Sequence, residues 1–154
     1  MKKLYSLVDD IYAVVASKEV PEDVDLYDEI ERFGENCKRL MTNLFTEKRD
    51  GRKLRMSNIG RDDRYLWNVV NNSDVEEEMT PNTYVKFMYG HLIEEMLLFL
   101  TRLSGHEVTD EQKQCEVAGI TGSMDCKIDG VVTDIKSTST FGFKKFKDGS
   151  LAYD

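Results

Sequence analysis

The chain has 154 residues, 40% hydrophobic and 32% charged, and carries a net charge of −8 from 21 basic and 29 acidic residues. That length suits one domain with a core of its own, and the composition reads as globular rather than disordered. The acidic balance argues against a non-specific nucleic-acid coat protein, and no apolar run approaches the ~20 residues that span a bilayer.

Leu4, Leu7, Val8, Ile11, Val14 and Val15 recur with a 3.6-residue period, predicting an amphipathic helix over residues 3–17. Pro21 and the acidic residues around it stop that helix and open the next. A second helix, over 24–47, puts Leu26, Ile30, Phe33, Cys37, Leu40, Met41, Leu44 and Phe45 on one face, and Asp50-Gly51 breaks it. Ser57 is the expected N-cap of a short helix running through Trp67 to Val70. A polar loop begins at Asn71-Asn72-Ser73. Thr80 then caps the longest helix, with Pro81 at its first position, and the helix ends near Ser104 at Gly105.

From Glu107 onward the pattern turns to strands. These are expected at 111–118, 120–128 and 131–137, followed by a helical turn over Phe141–Phe146. Helices first and an antiparallel meander second make an α/β or α+β domain. Charge is uneven along the chain. Glu19–Glu35 and Asp74–Glu78 are acidic, whereas Lys48–Arg64 and Lys144, Lys145 and Lys147 are basic. Local basic patches leave room for a nucleic-acid site, and the acidic N-terminal helices for a protein partner. Met1-Lys2-Lys3 lacks the apolar stretch and cleavage site of a signal peptide. Three widely spaced cysteines, Cys37, Cys115 and Cys126, suit a reducing, cytoplasmic compartment rather than a disulfide framework or a zinc knuckle.

The strongest chemical signal lies around Asp129-Gly130, the dipeptide preferred in a two-residue type I′ hairpin turn. With that turn, Ile128 pairs with Val131, Lys127 with Val132, Cys126 with Thr133, and Asp125 with Asp134. Paired residues share a face with Cβ atoms about 5 Å apart. Lys136, two residues on, points the same way. Two carboxylates on one face suit Mg²⁺ or Mn²⁺. A lysine beside them suits a nucleophilic water or a phosphate charge. Together they are the parts of metal-assisted phosphodiester hydrolysis. The plain alternative is a solvated hairpin with ordinary surface charges.

The long helix adds His91, Glu94 and Glu95, spaced three and four apart and so able to share a face. They could give a further metal ligand, or His91 and Glu95 could form an exposed ion pair beside a Gly90 that lets another backbone approach. Glu94, flanked by Ile93, Leu97 and Leu98, would need a partner if buried. Arg55, Ser57, Arg61 and Arg64 could meet a phosphate backbone at a capped helix start, or the arginines could pair with Asp62, Asp63 or the acidic helices. In 141–147, aromatics interleave with lysines. That suits stacking on single-stranded bases or a short amphipathic helix with at least one Phe in the core.

These pieces resemble the PD-(D/E)XK nuclease superfamily, in the branch of RecB-like, CRISPR-associated and phage exonuclease domains. Gly90-x-x-x-Glu94 looks like its first motif, Asp125 its metal-binding Asp, and Asp134-Ile135-Lys136 its (D/E)-x-K. Ser57-x-x-Gly60-x-x-x-Arg64-x-x-Trp67 is similar to an upstream Ser/Arg segment, and the stretch from Ser137 through Lys144 and Lys145 to that following the motif in phage members. The resemblance covers residues 54–147 and leaves the first 50 as a helical extension.

It implies a restriction-endonuclease-like core with a small mixed sheet. It implies Mg²⁺ or Mn²⁺ held by Asp125, Asp134, Glu94 and the Ile135 carbonyl, with His91 a ligand in some members, and Lys136 as the catalytic lysine. Gly122-Ser123-Met124 replaces the motif's proline. Asp62-Asp63 stands where iron–sulfur members carry a cysteine, so no cluster is expected. Members usually continue past the point at which this sequence stops, Asp154, into a helix bearing a Gln and a Tyr. The implied activity is metal-dependent hydrolysis of DNA by an exonuclease or a recombination and repair nuclease. RNA cleavage of the cap-snatching type, and a nuclease fold that binds without cutting, are the alternatives.

Overall fold

The computed structural model describes residues 2–46, 54–71 and 80–149. The Asp50-Gly51 break, the Asp74–Glu78 cluster and most of the loop begun at Asn71 lie outside them. A 3₁₀ turn, Leu4–Ser6, leads into α1 (Leu7–Ser17), which Lys18 ends in a left-handed conformation at φ 58°. α2 (Leu26–Thr46) starts where the Asp25 carboxylate accepts the backbone N–H groups of Tyr27 and Asp28. α3 (Asp63–Asn71) is capped by Asp62, whose Oδ1 accepts from the N–H groups of Arg64 and Tyr65 at 2.9 and 3.3 Å. Ser57, the expected cap, instead sits in a separate 3₁₀ turn, Met56–Asn58. Its place was misread because Gly60-Arg61 interrupts the helical path between them.

α4 (Pro81–Leu103) has the expected bounds. Thr80 Oγ1 accepts from the Thr83 N–H at 3.3 Å, and Gly105 leaves the helix at φ +76°. Five strands follow among the described residues: β1 (Val108–Thr109), β2 (Lys113–Val117), β3 (Ile120–Met124), β4 (Cys126–Ile128) and β5 (Val131–Thr133). They make two sheets, β1-β4-β5 and β2-β3, with every ladder antiparallel. The expected mixed sheet is therefore absent from the ladders. Among the described residues, parallel pairing is confined to an isolated bridge between Arg55 and Thr121. α5 (Thr140–Lys147) closes the described chain, with Ser139 Oγ accepting from the Gly142 N–H. The architecture is α+β.

The β4–β5 turn forms as its dipeptide dictates, with Asp129 and Gly130 at φ 50° and 81°. Its register is Ile128↔Val131, Lys127↔Val132 and Cys126↔Thr133. Ala118-Gly119, at φ 51° and 78°, makes a second such turn between β2 and β3. The single strand expected over 120–128 is thus two strands in different sheets, parted at Asp125. The strand expected over 131–137 ends at Thr133. Beyond Thr133 the Ile135 N–H is received by the Asp125 carboxylate, at 2.8 Å, in place of a ladder carbonyl.

Leu98 of α4 with Cys126 and Ile128 of β4 forms the buried apolar cluster, and Leu4, Leu7, Val108 and Ile135 pack on it. Burial first, and the Asp125 charge second, push the Cys126 thiol up to about 11. Cys37 on α2 is half-buried and Cys115 on β2 exposed. Iodoacetamide at pH 8 should therefore modify Cys115 in the folded protein, while Cys126 reacts only once the chain unfolds. Mass spectrometry of the peptides checks the order.

The C-terminal half of α4 also buries polar groups: Glu95, Thr101 and Arg102. The first two helices supply partners. Glu29 of α2 accepts from Arg102 Nε at 2.7 Å, and Glu111 accepts from its Nη1 at 3.1 Å. Glu95 accepts from Asn36 Nδ2 at 3.0 Å. His106, whose side chain is wholly buried, lies between Asp129 at 2.7 Å and Asp10 of α1 at 3.1 Å. So α2 turns Glu29 and Asn36 inward beside Phe33, which meets Phe99 at 5.2 Å. Leu26, Ile30 and Phe45, expected on that inner face, are exposed. No helix among the described residues is long and apolar enough to cross a membrane.

Candidate active site

The N-terminal half of α4 and the segment after β5 face each other across a cleft of about 530 Å³. Thr83, Lys86, Phe87, Gly90, His91 and Glu94 form one wall, and Ile135, Lys136 and Ser137 the other. The α4 residues recur every three or four positions, which is one helical face. Gly90 faces the second wall, where a Cβ would stand in ordinary van der Waals contact with Ser137 Oγ, at 3.4 Å.

Glu94 lies at the inner end of that face, its side chain only 12% exposed. Burial raises its carboxyl above the usual range, the neighbouring Asp125 charge raises it further, and His91 pulls it down. His91 Nδ1 stands 3.7 Å from Glu94 Oε2. The alternative His91–Glu95 pair does not form, because Glu95 is turned into the helix interface with Asn36.

Gln112, absent from the expected site, links the Glu94 carboxylate to the backbone of Asp125. Its Nε2 donates to Glu94 Oε1 at 2.6 Å, and its backbone N–H donates to the Asp125 carbonyl at 2.8 Å. It does so from a left-handed conformation, φ 49°, just ahead of β2. In the sequence it fell inside an expected strand, and nothing in its neighbours marks it.

Asp125 thus sits at the junction of the two sheets. Its Oδ2 holds the Ile135 N–H, which fixes the start of the Asp134-Ile135-Lys136 wall relative to β4. Asp134 does not complete a ladder pair with Asp125. It is 62% exposed and binds Lys136 Nζ at 2.7 Å. That hydrogen bond raises the Lys136 ammonium above its ordinary value, with the charges of Asp125 and Glu94 adding to it. The lysine therefore senses all three carboxylates.

Among the described residues, no three of His, Cys, Asp and Glu stand close enough to hold a metal ion together. Mg²⁺ does not demand three, since one or two carboxylates with waters suffice. Glu94 and Asp125 are near enough for the Asp125 charge to raise the Glu94 carboxyl. Asp134 would join them only by leaving Lys136.

The stability consequence has a definite sign. A carboxyl whose folded pKa lies above its unfolded one costs stability as pH rises from the usual Glu range, and the deficit persists above it. Glu94→Gln should thus raise the melting temperature in EDTA at pH 7.5, with the gain fading near pH 4. Mn²⁺ should raise the melting temperature of the wild type but not of this variant. Scanning fluorimetry with and without Mn²⁺ reads both effects.

The other expected nucleic-acid contacts are not gathered at the cleft. Arg55, Ser57, Arg61 and Arg64 do not line it. The turn bearing Arg55 and Ser57 packs on β3, where Met56 lies so close to Gly122 that a Cβ there would meet it at 2.8 Å. Arg61 lies 5.8 Å over the Tyr65 ring. Lys144 and Lys145 are on α5, with Lys145 5.0 Å over Phe141. Phe141, Phe143 and Phe146 are 70%, 56% and 66% exposed, so none enters the core as expected. An eight-residue helix with these aromatics has no neighbour among the described residues large enough to cover them. Of this group, only Ser137 reaches the cleft. Compared with protein-family models, with curated proteins and with solved structures, the chain matches none.

Proposed function

We propose that the chain is a metal-dependent nuclease that hydrolyses DNA phosphodiester bonds. The observation that supports this reading best is Glu94 and Lys136 on opposite walls of an open cleft, with the Asp125 charge near enough to raise the Glu94 carboxyl. Glu94, Asp125 and the Ile135 carbonyl would hold Mg²⁺ or Mn²⁺, with Asp134 and His91 the adjacent donors. The ion would supply a polarised water and offset charge on the phosphate. Lys136 would donate to a non-bridging phosphate oxygen or to the attacking water as the P–O bond to the leaving oxygen breaks. Asp134 would hold the ammonium in place. Gln112 would keep Glu94 turned toward Asp125.

The assay is incubation with linear, circular and single-stranded DNA and with RNA, with and without Mn²⁺, read on gels. Mn²⁺-dependent loss of linear DNA is the expected result. Cleavage of RNA alone would move the reading to a ribonuclease. Intact substrates throughout would remove the nuclease reading and leave a binding protein.

A further inference from the structure

We infer that Asp10, His106 and Asp129 form a protonation-dependent latch that straps α1 to the β4–β5 turn, and that loss of one ring proton releases α1. The latch stands apart from the cleft, and its test does not depend on cleavage. His106 follows the end of α4, and its side chain is 0% exposed. Its Nε2 lies 3.1 Å from Asp10 Oδ2, and its Nδ1 2.7 Å from Asp129 Oδ2. A carboxylate only accepts, so both ring nitrogens carry a proton and the ring is an imidazolium. A neutral ring would leave one bare nitrogen facing a carboxylate oxygen, away from water.

Donors occupy the rest of each carboxylate. Ser6 Oγ donates to Asp10 Oδ2 at 2.9 Å, and Lys2 Nζ stands 3.3 Å from it. The Ser6 hydroxyl first, with the Lys2 and His106 contacts adding, holds the Asp10 carboxyl below its usual range against some desolvation. Asp129 Oδ1 accepts from the Glu107 N–H at 3.1 Å. Among the described residues, the charged groups bonded into this knot are thus Lys2, Asp10, His106 and Asp129. Glu107, next in the chain to the histidine, is exposed. Two cations balance two carboxylates, and a ring that loses a proton leaves one carboxylate charge unbalanced. The joint is therefore complete while the ring holds both protons and is lost as pH rises.

α1 is the side that lets go. Asp129 is fixed by its turn and by its backbone N–H, which donates to the Glu107 carbonyl at 2.9 Å. No residue of α1 is buried, and its apolar hold on the core is Leu7, beside Leu4 of the preceding turn. At 11 residues it is shorter than the ~12–15 that keep an isolated helix in water, so a released α1 melts.

The test is NMR on ¹³C,¹⁵N-labelled protein between pH 6 and pH 10. The chain has two histidines, His91 and His106, and His91→Ala assigns their ring ¹⁵N signals. Ring shifts report protonation, and Cα shifts over Leu7–Ser17 report whether α1 is helical. The His106 ring should carry both protons while α1 is helical. Helical shifts should disappear from α1, and not from α4, at the pH where the ring loses a proton. Asp10→Asn should uncouple the two, because an amide accepts from an imidazolium or donates to a neutral ring nitrogen. Its α1 should stay helical as the ring titrates. A singly protonated ring beside a helical α1, or a ring that keeps both protons across the whole range, would overturn the latch. So would an Asp10→Asn chain that loses α1 at the wild-type pH or lacks it throughout.

Discussion

Asp125→Asn should abolish Mn²⁺-dependent DNA cleavage while leaving the protein folded. Asn keeps an oxygen for the Ile135 N–H, the contact that replaces a ladder bond at 2.8 Å. The junction between the sheets is therefore preserved, and the melting temperature should move by only a few degrees. What disappears is the charge facing Glu94. Metal affinity falls with it, and the Glu94 carboxyl returns toward its usual range. Asp125→Ala removes the acceptor as well and should destabilise the protein by about 1–3 kcal/mol, the cost of an unmet buried donor. Lys136→Ala, at a side chain 74% exposed, should cost no measurable stability and about 10²–10³-fold in kcat. Single-turnover cleavage beside thermal melts checks the set. Undiminished cleavage by Asp125→Asn or Lys136→Ala would refute the assignment.

The second large effect concerns the fold. Arg102 is 5% exposed and is held by Glu29 at 2.7 Å and Glu111 at 3.1 Å. Its Nη2 is buried without a hydrogen-bond partner among the described residues. Replacing the guanidinium leaves two carboxylates facing a vacated interior, at a cost of about 3–5 kcal/mol. At about 2–4 °C per kcal/mol for a chain of this size, Arg102→Ala should melt roughly 6–20 °C lower. Arg102→Met separates charge from packing, since it retains most of the volume. Adding Glu29→Gln to Arg102→Met should recover part of the loss, because one orphaned charge is then gone. A double-mutant cycle by urea unfolding measures the coupling. Additive losses would mean that the two side chains do not stabilise each other.

How far these features were legible depended on the distance over which each was specified. α1, α2 and α4 carry 3.6-residue periodicity, and α4 its own Thr80 cap, so their bounds came out within a few residues. Asp129-Gly130 specifies its turn locally, and the register of β4 on β5 followed from it. The extension of that register to Asp125↔Asp134 failed because a ladder persists only while backbone groups pair, and the Asp125 side chain interrupts it. Of the residues expected at a metal site, His91, Glu94, Ile135 and Lys136 line the cleft, whereas Asp125 and Asp134 do not. Asp125 positions the wall that carries Asp134 and Lys136, and Glu94 arrives from α4. Gln112 was illegible because its role depends on a left-handed backbone and two partners distant in sequence. The inward turn of Glu29 and Asn36 was hidden for a similar reason. An acidic helix normally presents its charges to water, and only the buried Arg102 and Glu95 of α4 draw these two inside.

α4 is divided along its length, and the division has a kinetic consequence. Its C-terminal turns, from Glu95 to Leu103, are clamped by apolar contacts, two ion pairs and Asn36. Its N-terminal turns, from Thr83 to His91, have one side open to the cleft. Amide protons in the clamped turns should exchange only with global unfolding, and those beside the cleft through cheaper local openings. One helix thus serves as a fixed post at one end and a yielding jamb at the other. The outer turns can open without disturbing the anchorage of Glu95.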